Sequence, residues 1–163
     1  MAACHPRQKK RGRRHPVHWD PLEKGNRSPI IFLTVCTKDR QPFRANPECH
    51  RLLVEWWKLG DHWLAGKYVI MPDHVHLFCA PRLDVPLSKW VAFWKKGVAR
   101  NRPMANGMDF WQRDFWDTQI RTAEHYGAQW DYVQCNPVRH GLTKDAESWP
   151  YRGELHLLDW HDA

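Results

Sequence analysis

The sequence predicts an α+β sandwich of ferredoxin-like type, an antiparallel sheet with helices packed on it in the order βαββαβα. Three observations lead there. Short runs of β-branched and aromatic residues alternate with amphipathic stretches from residue 29 to residue 135. Two of the strand-like runs are adjacent and meet at Met71-Pro72-Asp73, a tight connection that calls for an antiparallel pair. The chain has 163 residues, 42% of them hydrophobic, and no internal repeat, which suits one domain with a real core.

Each element has its own reason. Residues 29–37 (PIIFLTVCT) are β-formers and read as the first strand. Residues 47–64 read as an amphipathic helix carrying Leu52, Leu53, Trp56, Trp57 and Trp63. In residues 67–81 (KYVIMPDHVHLFCAP), Tyr68, Val69 and Ile70 make one strand, and Val75, Leu77 and Phe78 resume the extended pattern after the turn. Residues 87–102 read as a helix with Ser88 as cap candidate and Pro103 as stop. Trp90, Phe93, Trp94 and Val98 fall at 3- and 4-residue spacing and form its buried stripe, which turns its cations outward. Residues 110–120 (FWQRDFWDTQI) look extended, with Trp111, Arg113, Phe115 and Asp117 on one side and Trp116 and Ile120 on the other. The tryptophans of this stretch are expected in the sheet–helix interface, with Arg113 or Arg121 near a bound strand. Residues 123–135 form the last main helix, stopped near Asn136-Pro137.

Charge divides the chain further. The first 29 residues hold eight Lys/Arg and two Asp/Glu, against 17 and 16 in the remainder, so most of the net charge of +7 lies at the front. That segment has too little apolar surface to fold alone and reads as a disordered basic arm, with Lys9, Lys10, Arg11, Arg13 and Arg14 available to phosphates. The alternative reading of this segment is a solubilising extension. Residues 30–150 make the folded domain and residues 151–163 a C-terminal tail. Residues 85–108 add Lys89, Lys95, Lys96, Arg100 and Arg102 with no acid, a second candidate DNA-binding surface. The aromatics among them read as core. No apolar run approaches a membrane span and no signal-peptide pattern follows the basic start, so a soluble, cytoplasmic protein is expected. Five scattered cysteines without a CxxC pair read as ordinary thiols.

His74-Val-His76 is the most informative feature. On a strand, positions i and i+2 share a face, so both imidazoles project together while Val75 enters the core. Two neutral imidazoles at that spacing can hold one divalent ion; as surface histidines of a half-buried strand they would do nothing. Tyr132 and Asn136, in WDYVQCNPVRHGL, stand four residues apart and project together if the helical turn reaches Asn136. Otherwise Tyr132 is a helix tyrosine with its ring in the core and its hydroxyl in water.

The pair MPDHVHLF and DYVQCNPVRHGL, with WQRDFWDTQIR between them, resembles the single-tyrosine HUH transposases, and specifically the REP-associated tyrosine transposases of bacteria. The likeness covers roughly residues 29–149. It implies a ferredoxin-like fold, Mg2+ or Mn2+ on His74 and His76, and Tyr132 as nucleophile. Asn136 occupies a polar position where many relatives carry the longer Gln, which leaves direct metal contact open. The resemblance further implies single-stranded or hairpin DNA as partner, no membrane, and a monomer or homodimer. A free phenol is mostly protonated at neutral pH, so the nucleophile needs nearby positive charge or a proton acceptor. Three readings stand side by side. They are a metal-dependent DNA strand transferase working through a 5′-phosphotyrosine, a non-catalytic module that binds hairpin DNA or structured RNA, and a metal-dependent hydrolase with Tyr132 structural.

Overall fold

The structure, a computed structural model, describes residues 29–42, 45–102 and 109–158. The cations of the basic arm and the Pro103 stop lie outside them. The strands are β1 (Ile30–Cys36), β2 (Trp63–Ile70), β3 (His74–Pro81), β4 (Trp116–Ile120) and β5 (Arg152–Glu154). All pair antiparallel in the order β4-β1-β3-β2-β5. Helix α1 (Pro47–Leu59) connects β1 to β2, and α2 (Leu87–Asn101) leads from β3 toward β4. β3 therefore slots between β1 and β2, as the split βαβ arrangement expected from the sequence requires. Helices α3 (Ala123–Gln134) and α4 (Asn136–Arg139) follow β4.

The two faces of the sheet are covered differently. Ile31, Leu33, Val35, Val75, Leu77 and Cys79 point into a cluster with Leu53, Trp57, Trp90, Trp94 and Val98 of α1 and α2. Trp57, Trp90 and Trp94 are fully buried there and meet edge to face, with centroids 6.0 and 6.3 Å apart, geometry that suits the aromatic quadrupole. On the opposite face Ile30, Phe78, Ala80 and Ile120 meet Tyr126 and Trp130 of α3, while Val69 and Met71 meet Val133 and Trp149.

Several boundaries differ from the sequence reading. α1 stops at Leu59, and Trp63 and Leu64 belong to β2. The stop is enforced by Gly60, whose carbonyl accepts from the Trp90 indole N–H at 2.6 Å. A Cβ there would lie 2.8 Å from that same nitrogen. α2 is capped at Pro86 without a side-chain bond, so Ser88 caps nothing. Phe93 is 43% exposed and rests edge-on against Trp56, while Leu87 and Val91 take its expected place in the buried stripe. Only the second half of residues 110–120 forms a strand. Trp111 makes an isolated bridge to Thr37. Trp111 is buried as expected, but Trp116 is 39% exposed and does not fill the interface. The segment read as a tail contributes β5, paired to β2 through Lys67, Tyr68 and Val69. Cys36, Cys49 and Cys79 are buried thiols.

Gly97 marks a close approach of α1 and α2: a Cβ at that position would sit 2.1 Å from the Trp56 ring. Gly→Ala inside a helix ordinarily gains roughly 0.5–1 kcal/mol, but overpacking costs about 1–3 kcal/mol, and the clash is with a rigid indole. Gly97→Ala should therefore reduce the unfolding free energy by on the order of 1 kcal/mol, read as a lower urea midpoint at constant m-value. A raised midpoint would mean that Trp56 yields freely.

Candidate functional site

β3 sends alternate side chains to opposite faces. Val75, Leu77 and Cys79 join the tryptophan cluster, which leaves His74 and His76 on the face that α3 covers. Both are buried, and their Nε2 atoms stand 3.1 Å apart. The chain between α3 and α4 stays near helical, with Cys135 in the right-handed region, and Pro137 sits in the first turn of α4, where its missing N–H costs nothing. This brings buried Asn136 onto the pair, its amide Nδ2 2.8 Å from His76 Nε2.

Every ring nitrogen is accounted for. His74 Nδ1 lies 2.6 Å from Asp73 Oδ1, and a carboxylate only accepts, so that nitrogen carries the proton and Nε2 offers its lone pair. His76 Nδ1 lies 2.9 Å from Thr34 Oγ1, a hydroxyl that serves either tautomer. Phe32 stacks on His76 with centroids 5.4 Å apart. Arg40 donates to Asp73 Oδ2 at 3.2 Å and approaches His74 Nδ1 at 3.5 Å.

Burial lowers His74 below the ordinary histidine range, with Asp73 pulling the other way and the charges of Arg40 and His140 adding to the fall. His76 lies well below it, again through burial first, then through His74, Arg40, His140 and Arg139. Burial alone would raise Asp73, but the bonds and charges of His74 and Arg40 outweigh it and hold the carboxyl down. The site is thus two neutral imidazoles beside a carboxylate that stays ionised.

These donors fit a divalent ion. Two nitrogen ligands at right angles, each about 2.1 Å from one ion, stand about 3.0 Å apart, close to the separation seen. Asn136 could supply a third donor, because a half-turn of its amide puts Oδ1 where Nδ2 stands. No three His, Cys, Asp or Glu side chains converge among the described residues, so a third protein ligand would be this amide.

Tyr132 lies one turn before Asn136, half-buried at the margin of the Val69, Met71, Val133 and Trp149 cluster. The Arg139 guanidinium covers its ring at 4.1 Å. Its hydroxyl makes no hydrogen bond among the described residues, so the geometry joins His74, His76 and Asn136 directly and Tyr132 through the shared helix.

The cations of α2 lie on the other side of the sheet. Lys89, Lys96 and Arg100 are exposed there. Lys95 is half-buried and turned inward, its Nζ donating to the carbonyls of Gln112 and Arg113 at 2.7 and 3.1 Å. Arg102 stacks on Phe110 at 4.4 Å. Arg40, Asp73, Thr34 and Arg139 were not singled out from the sequence. Asp73, adjacent to the pair, was the one with a usable signal, since a carboxylate beside a ligand imidazole is the usual orienting partner.

Over 152 residues the chain is 30% identical to a REP-associated tyrosine transposase of Haemophilus influenzae, covering 80% of this chain and 86% of that one. It is 31% identical over 103 residues to a REP-associated tyrosine transposase of Escherichia coli K12, covering 57% and 59%. A solved REP-associated tyrosine transposase bound to a REP hairpin superposes with a TM-score of 0.66 at 22% identity, covering 83% of this chain and 82% of that one. That likeness bears on the fold. No family model matches the chain. No helix among the described residues is long and apolar enough to cross a membrane.

Because the unfolded chain protonates its histidines near 6.5 and the folded chain resists, stability should fall as pH drops below that value. Ring nitrogen chemical shifts of the metal-free protein should show each imidazole less protonated at pH 6.5 than a free histidine, with neutral His74 carrying its proton on Nδ1. Imidazolium shifts at that pH would contradict the electrostatics described.

Proposed function

The chain belongs to the REP-associated tyrosine transposases, and on that premise we propose that it cleaves and rejoins single-stranded DNA beside a hairpin, with Tyr132 as nucleophile and His74, His76 and Asn136 as the ligands of a divalent ion. The observation that carries this reading is the convergence of two buried, neutral imidazoles on the amide one helical turn beyond Tyr132.

A bound Mg2+ or Mn2+ supplies Lewis-acid polarisation of the scissile phosphate and offsets the charge that builds on its oxygens. The protein's own residues do the rest. Asp73 holds the His74 ring, and Thr34 holds that of His76. The Tyr132 oxygen attacks phosphorus, forms a 5′-phosphotyrosine, and releases a free 3′-OH. That bond conserves the phosphodiester's energy, so a 3′-OH can reverse the step without ATP. The Arg139 guanidinium packs over the tyrosine ring, 4.1 Å from its centre. Lys89, Lys96 and Arg100, together with the arm's Lys9, Lys10, Arg11, Arg13 and Arg14, are the cations offered to hairpin phosphates.

Incubation with labelled hairpin oligonucleotides and Mn2+ should give a protein–DNA adduct that survives denaturation. Tyr132→Phe should abolish the adduct and leave hairpin binding within a few-fold. An adduct persisting in that variant would assign the nucleophile elsewhere. EDTA, or His76→Ala, should stop cleavage, and cleavage that continues in EDTA would remove the metal from the mechanism. Hairpin binding with no cleavage under any of these conditions would favour the non-catalytic binding module.

A further inference from the structure

Trp116 is the most exposed tryptophan among the described residues, with 39% of its surface in water. No other ring stacks on it among those residues. Its position is defined by register: Trp116 pairs with Thr34, Thr34 with His76, His76 with Val69, and Val69 with Arg152, one row across all five strands. Along that row α3 covers only part of the face. Trp130 draws the Arg152 and Lys67 cations over its ring at 5.8 and 5.1 Å, and Val133 meets Val69. The β1 and β4 portion is more open, with Thr34 and Phe32 half-buried and Trp116 and Thr118 exposed. His76 stands at the boundary, clasped by Asn136 on one side and by Thr34 of the open floor on the other.

A large apolar ring left in water on a sheet face, two strands or about 10 Å from the imidazole pair, has the form of a base-stacking platform. Sheets of comparable layout bind unpaired nucleotides through exposed aromatics, and stacking accepts any base because every base has a π-face. Arg113 and Arg121 are exposed at either end of β4, with Asp114 the one acid beside Arg113. We propose that Trp116 stacks on an unpaired nucleotide flanking the scissile phosphate, with Thr34 and Thr118 completing the floor that leads the strand to the histidine pair. Trp116 thus acts as a substrate-positioning residue. The assignment rests on the DNA-cleaving role proposed above.

The test compares two labelled oligonucleotides, a hairpin with a short single-stranded flank and the same hairpin without it, by fluorescence anisotropy. The flank should strengthen binding to the native protein. Trp116→Ala should weaken binding to the flanked hairpin roughly ten-fold, leave the flankless one nearly unchanged, and leave the thermal midpoint close to native; Trp116→Phe should retain most of the flank's effect. With 5-bromodeoxyuridine in the flank, irradiation of the unaltered protein should cross-link the peptide that carries Trp116. A flank effect that survives Trp116→Ala, or cross-links confined to other peptides, would overturn the stacking role while leaving hairpin cleavage intact. A native protein that neither binds nor cleaves any hairpin would overturn the functional reading and this assignment together.

Discussion

β3 is buried on both faces, and the consequences of that fact organise the molecule. Seven of its eight residues are buried, so its period of two must satisfy two different environments at once. Val75 and Leu77 each gain about 1.5–3 kcal/mol on burial against the tryptophans. His74 and His76 must instead meet polar partners, since an unpaired buried polar group costs about 1–3 kcal/mol. A slip of one residue would lose both terms together. The register that serves the core is therefore the one that aims the imidazoles at α3, and the core holds the site in place without touching it.

The polar side of this arrangement is closed locally. His74 leans on Asp73, His76 on Thr34 and Asn136, and the two rings on each other, so the buried network is satisfied within a few residues of the turn and one helix end. Arg40 joins from a short helical turn in which Asp39 and Arg40 both hold left-handed backbone, at φ 53 and 54. Such a conformation costs roughly 1–3 kcal/mol per residue, whereas an ion pair as exposed as Arg40–Asp73 returns about 0–1 kcal/mol. The pair cannot hold the turn by itself. Buried Thr37 anchors it, its N–H donating to the Asp73 carbonyl at 2.9 Å and its hydroxyl to that of Gln41 at 2.7 Å. Arg40 is placed by the backbone and then serves the carboxylate.

What could be read in the sequence follows from which interactions are periodic. The order of strands and helices, the shared face of His74 and His76 and the inward turn of Val75 all depend on repeats of two or about 3.6 residues, and each is present in the structure. Features set by distant partners were not legible. The end of α1 depends on an indole 30 residues away, and β5, three residues long, exists because β2 offers it an edge. Trp116 looked like core because tryptophan usually is; only its place on an edge strand, beyond the reach of α3, leaves it in water. Lys95 looked like a free cation, but the carbonyls that hold it belong to a loop without periodicity.

The same two-sidedness constrains how a nucleic acid can use the protein. The imidazole pair faces α3, and the exposed cations of α2 face the opposite way, with the full sheet and its tryptophan layer between them. A duplex is stiff over the dimensions of one domain, so one straight helix cannot run from Lys89, Lys96 and Arg100 into the histidine site. An unpaired strand has no such stiffness and can turn around the β4 edge, where Arg113 and Arg121 are exposed. A substrate that is paired in one part and unpaired in another fits this distribution of charge: the paired part suits the helical side and the flexible part suits the open floor beside His76. A fully paired substrate would have to surrender base pairs before its phosphate reached the imidazoles, at about 1.4 kcal/mol for each stacked step. On the proposed reading, a preference for an unpaired flank would follow from sheet topology, before any base-specific contact is made.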